Sequence, residues 1–297
     1  MIAIVIPYYK LSFFEEALQS LANQTDKRFK VYIGDDKSPE NPLDLLKKFK
    51  DKFNFLYHRF ETNLGGNSLT QQWHRCITLT EKEEWIMILG DDDVLEENTI
   101  EEFYKKLPEI KSEGINVIRY ATQIFNEKSN TNSEIYYHPT KEKSTDFLFR
   151  KSRSSLSEYI FLKEKVLKIG FVDFPLAWYS DVLGVLEFSD FGTVFTINES
   201  VIKIRVSSIS ISGNIIYSKK KNNSRFDFYY YLLSNKKRFF SKEQQEELFL
   251  KIANCYINDK KRIPFFFKIS WLYIKNLSII GFSKFIRLIL FYTFKKK

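Results

Sequence analysis

Two hydrophobic periods alternate along the first 120 residues. Short unbroken apolar runs, which suit strands covered on both faces, are followed by segments whose apolar residues recur three and four apart, as on one face of a helix. Ile2 to Ile6 is the first such run, and Phe14, Ala17, Leu18, Leu21 and Ala22 form the first helical face. Phe29 to Ile33 predicts a second strand, Gly34 to Pro42 carries turn residues, and Leu45, Leu46, Phe49 and Phe53 direct a helix inward. Phe55 to Phe60 predicts a third strand, with Leu69, Trp73, Cys76 and Ile77 on the helix after it. Trp85 to Leu89 holds no polar residue and stops at Gly90 and three aspartates. Ile100, Phe103, Tyr104 and Leu107 then mark a helix, and Ile115 to Tyr120 a fifth strand. Such alternation predicts an α/β fold with a mostly parallel sheet and helices on its faces.

Asn, Ser, Thr and Lys dominate from Gln123 to Lys143, which predicts an excursion or hairpin where a second half begins. Strand and helix patterns mix from Leu156 to Phe195, Val201 to Val206 predicts a last strand, and the chain reads as helical beyond Arg225. No internal repeat occurs.

Composition excludes a disordered chain: 44% of the 297 residues are hydrophobic and 17% aromatic. Cys76 and Cys255 have no metal-knuckle or disulfide-framework spacing, which fits a reducing compartment. Met1 to Pro7 lacks the basic start and cleavage site of a secretory signal, so the expected location is cytoplasmic. The net charge of +9 is unevenly placed, with 19 Lys/Arg against 5 Asp/Glu from Lys219 onward and 27 against 32 before it. In that basic tail Phe265 to Phe267, Trp271, Tyr273 and Phe282 to Tyr292 are interrupted by Lys268, Lys275, Lys284, Arg287 and Lys295 to Lys297. No uncharged run reaches the ~18–20 residues of a membrane span. The mixture predicts either helices lying on an anionic membrane surface or aromatics packed on the rest of the chain with the lysines facing water, and no nucleic-acid partner.

Ligands of open α/β sheets sit outside the carboxyl ends of the strands. Three clusters fall at such ends: Pro7-Tyr8-Tyr9, Asp35-Asp36 and Asp91-Asp92-Asp93. Three carboxylates directly after a buried strand concentrate negative charge that a cation or hydrogen-bond donors must compensate. Mg²⁺ and Mn²⁺ accept few carboxylates and complete their shells with water and phosphate oxygens, so the triplet suits either a divalent metal or the plainer role of a helix N-terminal cap, where Asp is favoured. In the loop Asn63 to Asn67, Gly65 and Gly66 bring backbone N–H groups to a helix start, where they serve either a donor sugar or phosphate or a plain turn. Asp181, after the aromatic segment Pro175 to Ser180, precedes an apolar helix and is either an N-terminal cap or a general base. Neither a dinucleotide-binding nor a P-loop glycine pattern is present.

The stretches IAIVIPYYK, IGDDKSPEN, NLGGN and WIMILGDDDVLEENTI together resemble the nucleotide-binding half of a family-2 glycosyltransferase, over residues 1 to about 110. The resemblance implies a GT-A fold, Rossmann-like and mostly parallel with flanking helices. Residues 1–120 would bind nucleotide-sugar and metal, 121–218 would bind the acceptor, and 219–297 would be a helical, basic, aromatic-rich extension. It implies that Asp36 accepts from uracil or a similar ring, with Pro7 and Tyr9 along it and Gly66 near the donor. Asp91 would approach the ribose or donor sugar, Asp92 would hold Mn²⁺ or Mg²⁺, and Asp93 would orient either one beside the metal. Gly90 stands where the usual first carboxylate would be, which leaves the register within the triplet open. Asp181 resembles the acidic acceptor-site motif and would be the base of an inverting transfer. Arg205 would either meet the diphosphate or form a structural ion pair, and Ser207 stands where many relatives carry a metal-reaching His; His58, His74 and His138 lie elsewhere.

The relatives it resembles build bacterial surface polysaccharides. That implies a nucleoside diphosphate-sugar donor (a UDP-sugar), a glycan or lipid-linked acceptor, and a peripheral place on the inner face of the plasma membrane. Nucleotidyl transfer on a similar fold is opposed by residues 7 to 15, which hold only Lys10 and no glycine-rich basic loop. A non-catalytic nucleotide-sugar binder is opposed by the triplet and Asp181 together.

Overall fold

The structure, a computed structural model, describes residues 1–150, 154–259, 262–276 and 279–294; Lys295 to Lys297 lies outside them. The chain divides into two compact units, residues 1–173 with 180–214 and residues 174–179 with 215–297.

The first unit opens with β1 (Ile2–Tyr8), α1 (Phe14–Ala22), β2 (Phe29–Asp35), α2 (Leu43–Lys47), β3 (Phe55–Arg59), α3 (Leu69–Ile77) and β4 (Trp85–Ile88). It continues through β5 (Val94–Leu95), α4 (Thr99–Ser112), β6 (Val117–Asn126), β7 (Thr131–Tyr136), β8 (Lys141–Lys143), α5 (Ser144–Phe147), β9 (Tyr159–Leu162), α6 (Lys163–Ile169), α7 (Ser180–Phe188) and β10 (Thr193–Val206). One sheet runs β3-β2-β1-β4-β9-β6-β10-β5, with β7 on β6 and β8 on β10. The strands β3, β2, β1 and β4 are parallel, as the alternating pattern predicts. Beyond β4 the sheet is mixed: β9 enters antiparallel between β4 and β6, while β10 is parallel to β6. The segment after Gln123 is the expected hairpin, β6 against β7.

Side chains alternate across β1, so Ile2, Ile4 and Ile6 join one core with Phe14, Leu18, Phe103 and Trp85. Ala3 and Val5 join a second core with Cys76, Ile77, Tyr159, Phe161 and Phe188. Helix α3 packs so closely on β2 that a Cβ on Gly34 would lie 2.3 Å from Cys76 Sγ. Burial pushes the Cys76 thiol up to about 12.

The last strand begins at Thr193 rather than Val201, and two elements among residues 1–120 also depart from the sequence expectation. Helix α2 ends at Lys47, and Phe49 and Phe53 reach the core through turns in which Lys48, Phe49 and Lys52 N–H bond three residues back. The two-residue β5 pairs antiparallel with Ile202 and Lys203 of β10 and thereby folds the acidic triplet toward β10.

The second unit contains α8 (Ser218–Tyr231), α9 (Lys242–Asn258), α10 (Ile263–Lys275) and α11 (Ile279–Phe294), with helical character from Ser218 rather than Arg225. A capping box of Ser241 and Gln244 starts α9, which carries the buried Leu248, Ile252 and Cys255, the last with its thiol also pushed up to about 12 by burial. The Phe226 ring lies flat on Phe265, centroids 3.6 Å apart. Residues 174–179 belong to this unit: the Ser224 hydroxyl donates to the Pro175 carbonyl (2.6 Å) and Tyr179 stacks on Phe228. Leu176, Ala177 and Tyr179 there have φ of 62°, 50° and 75°, strained for residues with a Cβ. Among the described residues no helix is long and apolar enough to cross a membrane.

Candidate active site

The chain passes from β1 to β2 on one side and later adds β4 on the other, so the crevice at the carboxyl ends of these strands is a switch point of the topology. All three polar clusters lie there. Asp91 accepts the backbone N–H groups of Tyr9 (2.9 Å) and Lys10 (2.8 Å), which ties the end of β4 to the loop after β1. Burial raises its carboxyl above the ordinary range, opposed by those N–H donors and the Lys10 charge. Asp93 is buried and accepts the Ser157 hydroxyl (2.5 Å) and the Arg205 backbone N–H (2.9 Å). Ser157 in turn accepts the Gly90 N–H at 2.9 Å. A Cβ on Gly90 would sit 3.0 Å from Asp93 Oδ2 and 3.1 Å from Asp92 Oδ1, so side chains of the triplet fold back over the position that the resemblance gives to a carboxylate.

The carboxylate of Asp92 is half-buried and accepts no hydrogen bond among the described residues. Burial, then the charges of Asp93 and Asp91, push its carboxyl up to about 8. It lines a cleft of ≈ 270 Å³ with Glu16, Phe125, Asn132, Lys203 and Arg205. The Arg205 guanidinium donates to the Asp92 carbonyl (3.2 Å), lies against Phe13 and Phe125, and pairs with Glu16 of α1. The structural ion pair weighed from sequence is therefore formed. Two residues on, the Ser207 hydroxyl oxygen is buried without a hydrogen-bond partner among the described residues.

No cluster of three or more His, Cys, Asp or Glu able to hold a metal occurs among the described residues. An unbonded carboxylate and an unpartnered hydroxyl are hard oxygen donors. They fit a divalent cation that takes its remaining ligands from a diphosphate and water.

At the end of β2 the two aspartates have different partners. Asp35 is fully buried and accepts the Ser38 N–H, the Tyr57 hydroxyl and Arg59, closing the turn. Burial and Asp35 push the Tyr57 phenol up to about 12. Asp36 accepts the N–H groups of Leu64 (2.7 Å) and Gly65 (2.9 Å) and pairs with Arg75, whose guanidinium covers Phe60. The glycine that Asp36 reads is Gly65, whose Cβ would come 2.6 Å from Asp36 Oδ2; Gly66 N–H instead bonds the Asn63 side chain. Pro7 pairs with Gly34 inside the sheet, while the Tyr9 side chain is exposed and its carbonyl accepts the Ser38 hydroxyl.

Asp181 lies in the first turn of α7, half-buried, and its charge reaches the Tyr159 phenol, which burial raises most. The turn Leu156–Glu158 touches the triplet through Ser157 and leads directly into Tyr159. Sequence reasoning missed Ser157 and Glu16, and it marked Asp35 at the strand end without giving it a role. Neither Ser157 nor Glu16 has a local signal, because each acts on a partner brought by a distant element.

A family model described as glycosyl transferase family 2 matches residues 3–170. The poly(ribitol-phosphate) beta-N-acetylglucosaminyltransferase TarS of Staphylococcus aureus strain Mu50 is 27% identical over 188 residues, 56% of this chain and 32% of TarS. The chain thus matches about a third of that relative's length. The crystal structure of S. aureus TarS 1-349 in complex with UDP-GlcNAc superposes with a TM-score of 0.62 at 15% identity, covering 87% of this chain and 73% of that one. GalNAc-T7 with UDP, GalNAc and Mn2+ gives 0.52 at 11% identity, covering 84% and 54%. These structures share the fold, a GT-A architecture. With more than half of its length inside the family model, the chain belongs to glycosyl transferase family 2.

Proposed function

We propose that this protein transfers a sugar from a nucleoside diphosphate-sugar, a UDP-sugar, to a hydroxyl of a glycan or lipid-linked acceptor, with inversion, in cell-surface polysaccharide synthesis. The observation that carries the reading is the division of labour in the triplet: Asp91 and Asp93 are bonded by the protein, while Asp92 stands at the cleft with no hydrogen bond to its carboxylate among the described residues. A relative solved with UDP-GlcNAc and a fold neighbour solved with UDP and Mn2+ support the donor class and the metal.

In this reading Asp92 holds Mn²⁺ or Mg²⁺, Asp93 orients it from the second position, and Ser207 takes the place of a His. The ion supplies positive charge that offsets the departing diphosphate. A carboxylate has about four acceptor sites, of which Asp36 uses three, so one is left for a ring N–H of the base. Pro7 and Tyr9 line the base, Gly66 faces the donor sugar, and Asp91 fixes the loop against which ribose lies. Glu16 is 61% exposed, so Arg205 can exchange this partner for a diphosphate oxygen at little cost. The acceptor hydroxyl gives its proton to Asp181 and forms the new bond to the anomeric carbon. The old bond breaks with its electron pair going to the diphosphate, on the opposite face. The place of work is the inner face of the plasma membrane.

The test is a thermal-shift panel of UDP-, GDP-, dTDP- and CMP-sugars with and without Mn²⁺, repeated on Asp181→Asn. A ligand bound only by the folded state raises its stability by mass action. A UDP-sugar shift that requires Mn²⁺ is expected in both proteins, with turnover of the variant lower by roughly 10²–10⁴-fold. Full turnover in EDTA, or wild-type turnover by Asp181→Asn, removes the corresponding role.

A further inference from the structure

Helix α10 buries Phe265, Ile269, Leu272 and Tyr273 on one side. Its opposite side is also apolar. Ile263, Phe267, Trp271 and Ile274 are 63%, 64%, 59% and 61% exposed, and at about 100° per residue they fall within an arc of about 80°. Lys268 and Lys275 border this stripe. On α11 the exposed Ile280, Lys284, Arg287 and Phe291 share one face, with two cations between two apolar residues. Scattered exposed apolar residues are ordinary, whereas four in register on one helix with an aromatic pair at the centre are not.

The charge around the stripe selects what covers it. From Lys260 to Lys297 the sequence holds ten Lys/Arg and no Asp/Glu. A second copy of this chain would bring the same unbalanced cations against it, and interface cores between proteins are depleted of lysine. A leaflet with anionic headgroups meets both features. The aromatic and aliphatic stripe enters the headgroup–acyl boundary, and Lys and Arg reach out to the phosphates. We infer that α10 lies in the plane of an anionic lipid surface with Ile263, Phe267, Trp271 and Ile274 inserted, and that α11 lies beside it with Lys284 and Arg287 on the headgroups. This rests on the membrane placement proposed above and not on the transfer chemistry, so its test reads lipid binding without turnover.

Deleting the tail would uncover Phe226, which stacks on Phe265, so point variants of the full chain are used instead. Wild type, Phe267→Ser/Trp271→Ser and Lys275→Glu/Lys284→Glu are sedimented with phosphatidylcholine vesicles, with and without phosphatidylglycerol, at low and high salt. Tm is recorded for each protein alone. Wild type should bind the phosphatidylglycerol vesicles and release them as salt rises, with Trp271 emission moving to the blue. Both variants should keep the wild-type Tm, and the serine variant should partition roughly tenfold or more weakly. Wild type that ignores phosphatidylglycerol vesicles overturns the inference, as does a serine variant that binds like wild type. A concentration-dependent dimer lost in the serine variant, with vesicles unbound by either, would assign the stripe to a second copy and overturn it too.

Discussion

Replacing Asp92 by Asn removes a negative charge from a position where burial and the charges of Asp93 and Asp91 hold the carboxyl near 8 instead of the ordinary 3.8. A folded state that binds the proton more tightly than the unfolded chain loses stability as pH rises between those two values, and the full penalty is present above the higher one. In EDTA, Asp92→Asn should therefore be more thermostable than wild type at pH 8, the gain shrinking toward pH 4. A rise of roughly 2–4 °C is expected for each kcal/mol regained in a chain of this size. Its donor-induced shift should vanish. Asp91→Ala differs, since it also takes the acceptor away from the Tyr9 and Lys10 N–H groups, at a cost of about 0.5–1.5 kcal/mol for each hydrogen bond lost, so any gain at pH 8 should be smaller than that of Asp92→Asn. Melting curves across pH check both. Equal behaviour of the two variants would mean that the triplet does not divide its labour as described.

At the scale of elements, the clamp between the end of β2 and the start of α3 gives a sharp contrast between two neighbouring glycines. Gly65→Ala places a Cβ 2.6 Å from Asp36 Oδ2 and should dislodge that carboxylate from the Leu64 and Gly65 amides. A loss on the order of 1–3 kcal/mol is expected, with weaker discrimination among nucleotide bases. Gly66→Ala meets only the Asn63 side chain and should cost less. Urea unfolding of the pair measures the difference, and equal losses would refute the clamp. The strands β1 to β4 and the helices α1, α3 and α4 were legible because each repeats its period long enough to exclude the other. The pair β5, two residues long, has no period to read, yet it is what delivers Arg205 to Asp92 and Asp93. The insertion of β9 between β4 and β6 was equally hidden, since apolar runs do not name their neighbours. Asp35 and Asp36 look alike in sequence, and only the backbone at the strand end turns one into the closing turn and the other toward Gly65.

Across the whole chain, charge is partitioned between acid and base: 27 Lys/Arg against 32 Asp/Glu before Lys219, and 19 against 5 from there on. In the proposed reading, attraction for an anionic donor within the acidic stretch would come from a few local groups and a bound cation, which act at short range and are little screened. The inferred attraction of the basic stretch for lipid would be of the salt-sensitive kind. The two cysteines follow the same partition, Cys76 on the buried face of α3 in the first unit and Cys255 in α9 of the second. Each is buried with a thiol too weakly acidic to be a nucleophile at neutral pH, so alkylation has to wait for the surrounding structure to open. In native conditions the modification rate of each thiol becomes the product of a local opening equilibrium and the reactivity of a free thiol. Mass spectrometry of the two peptides along one iodoacetamide time course would thus report the opening free energy of each unit separately. Donor with Mn²⁺ should slow Cys76 and leave Cys255 unchanged, and anionic vesicles should do the reverse.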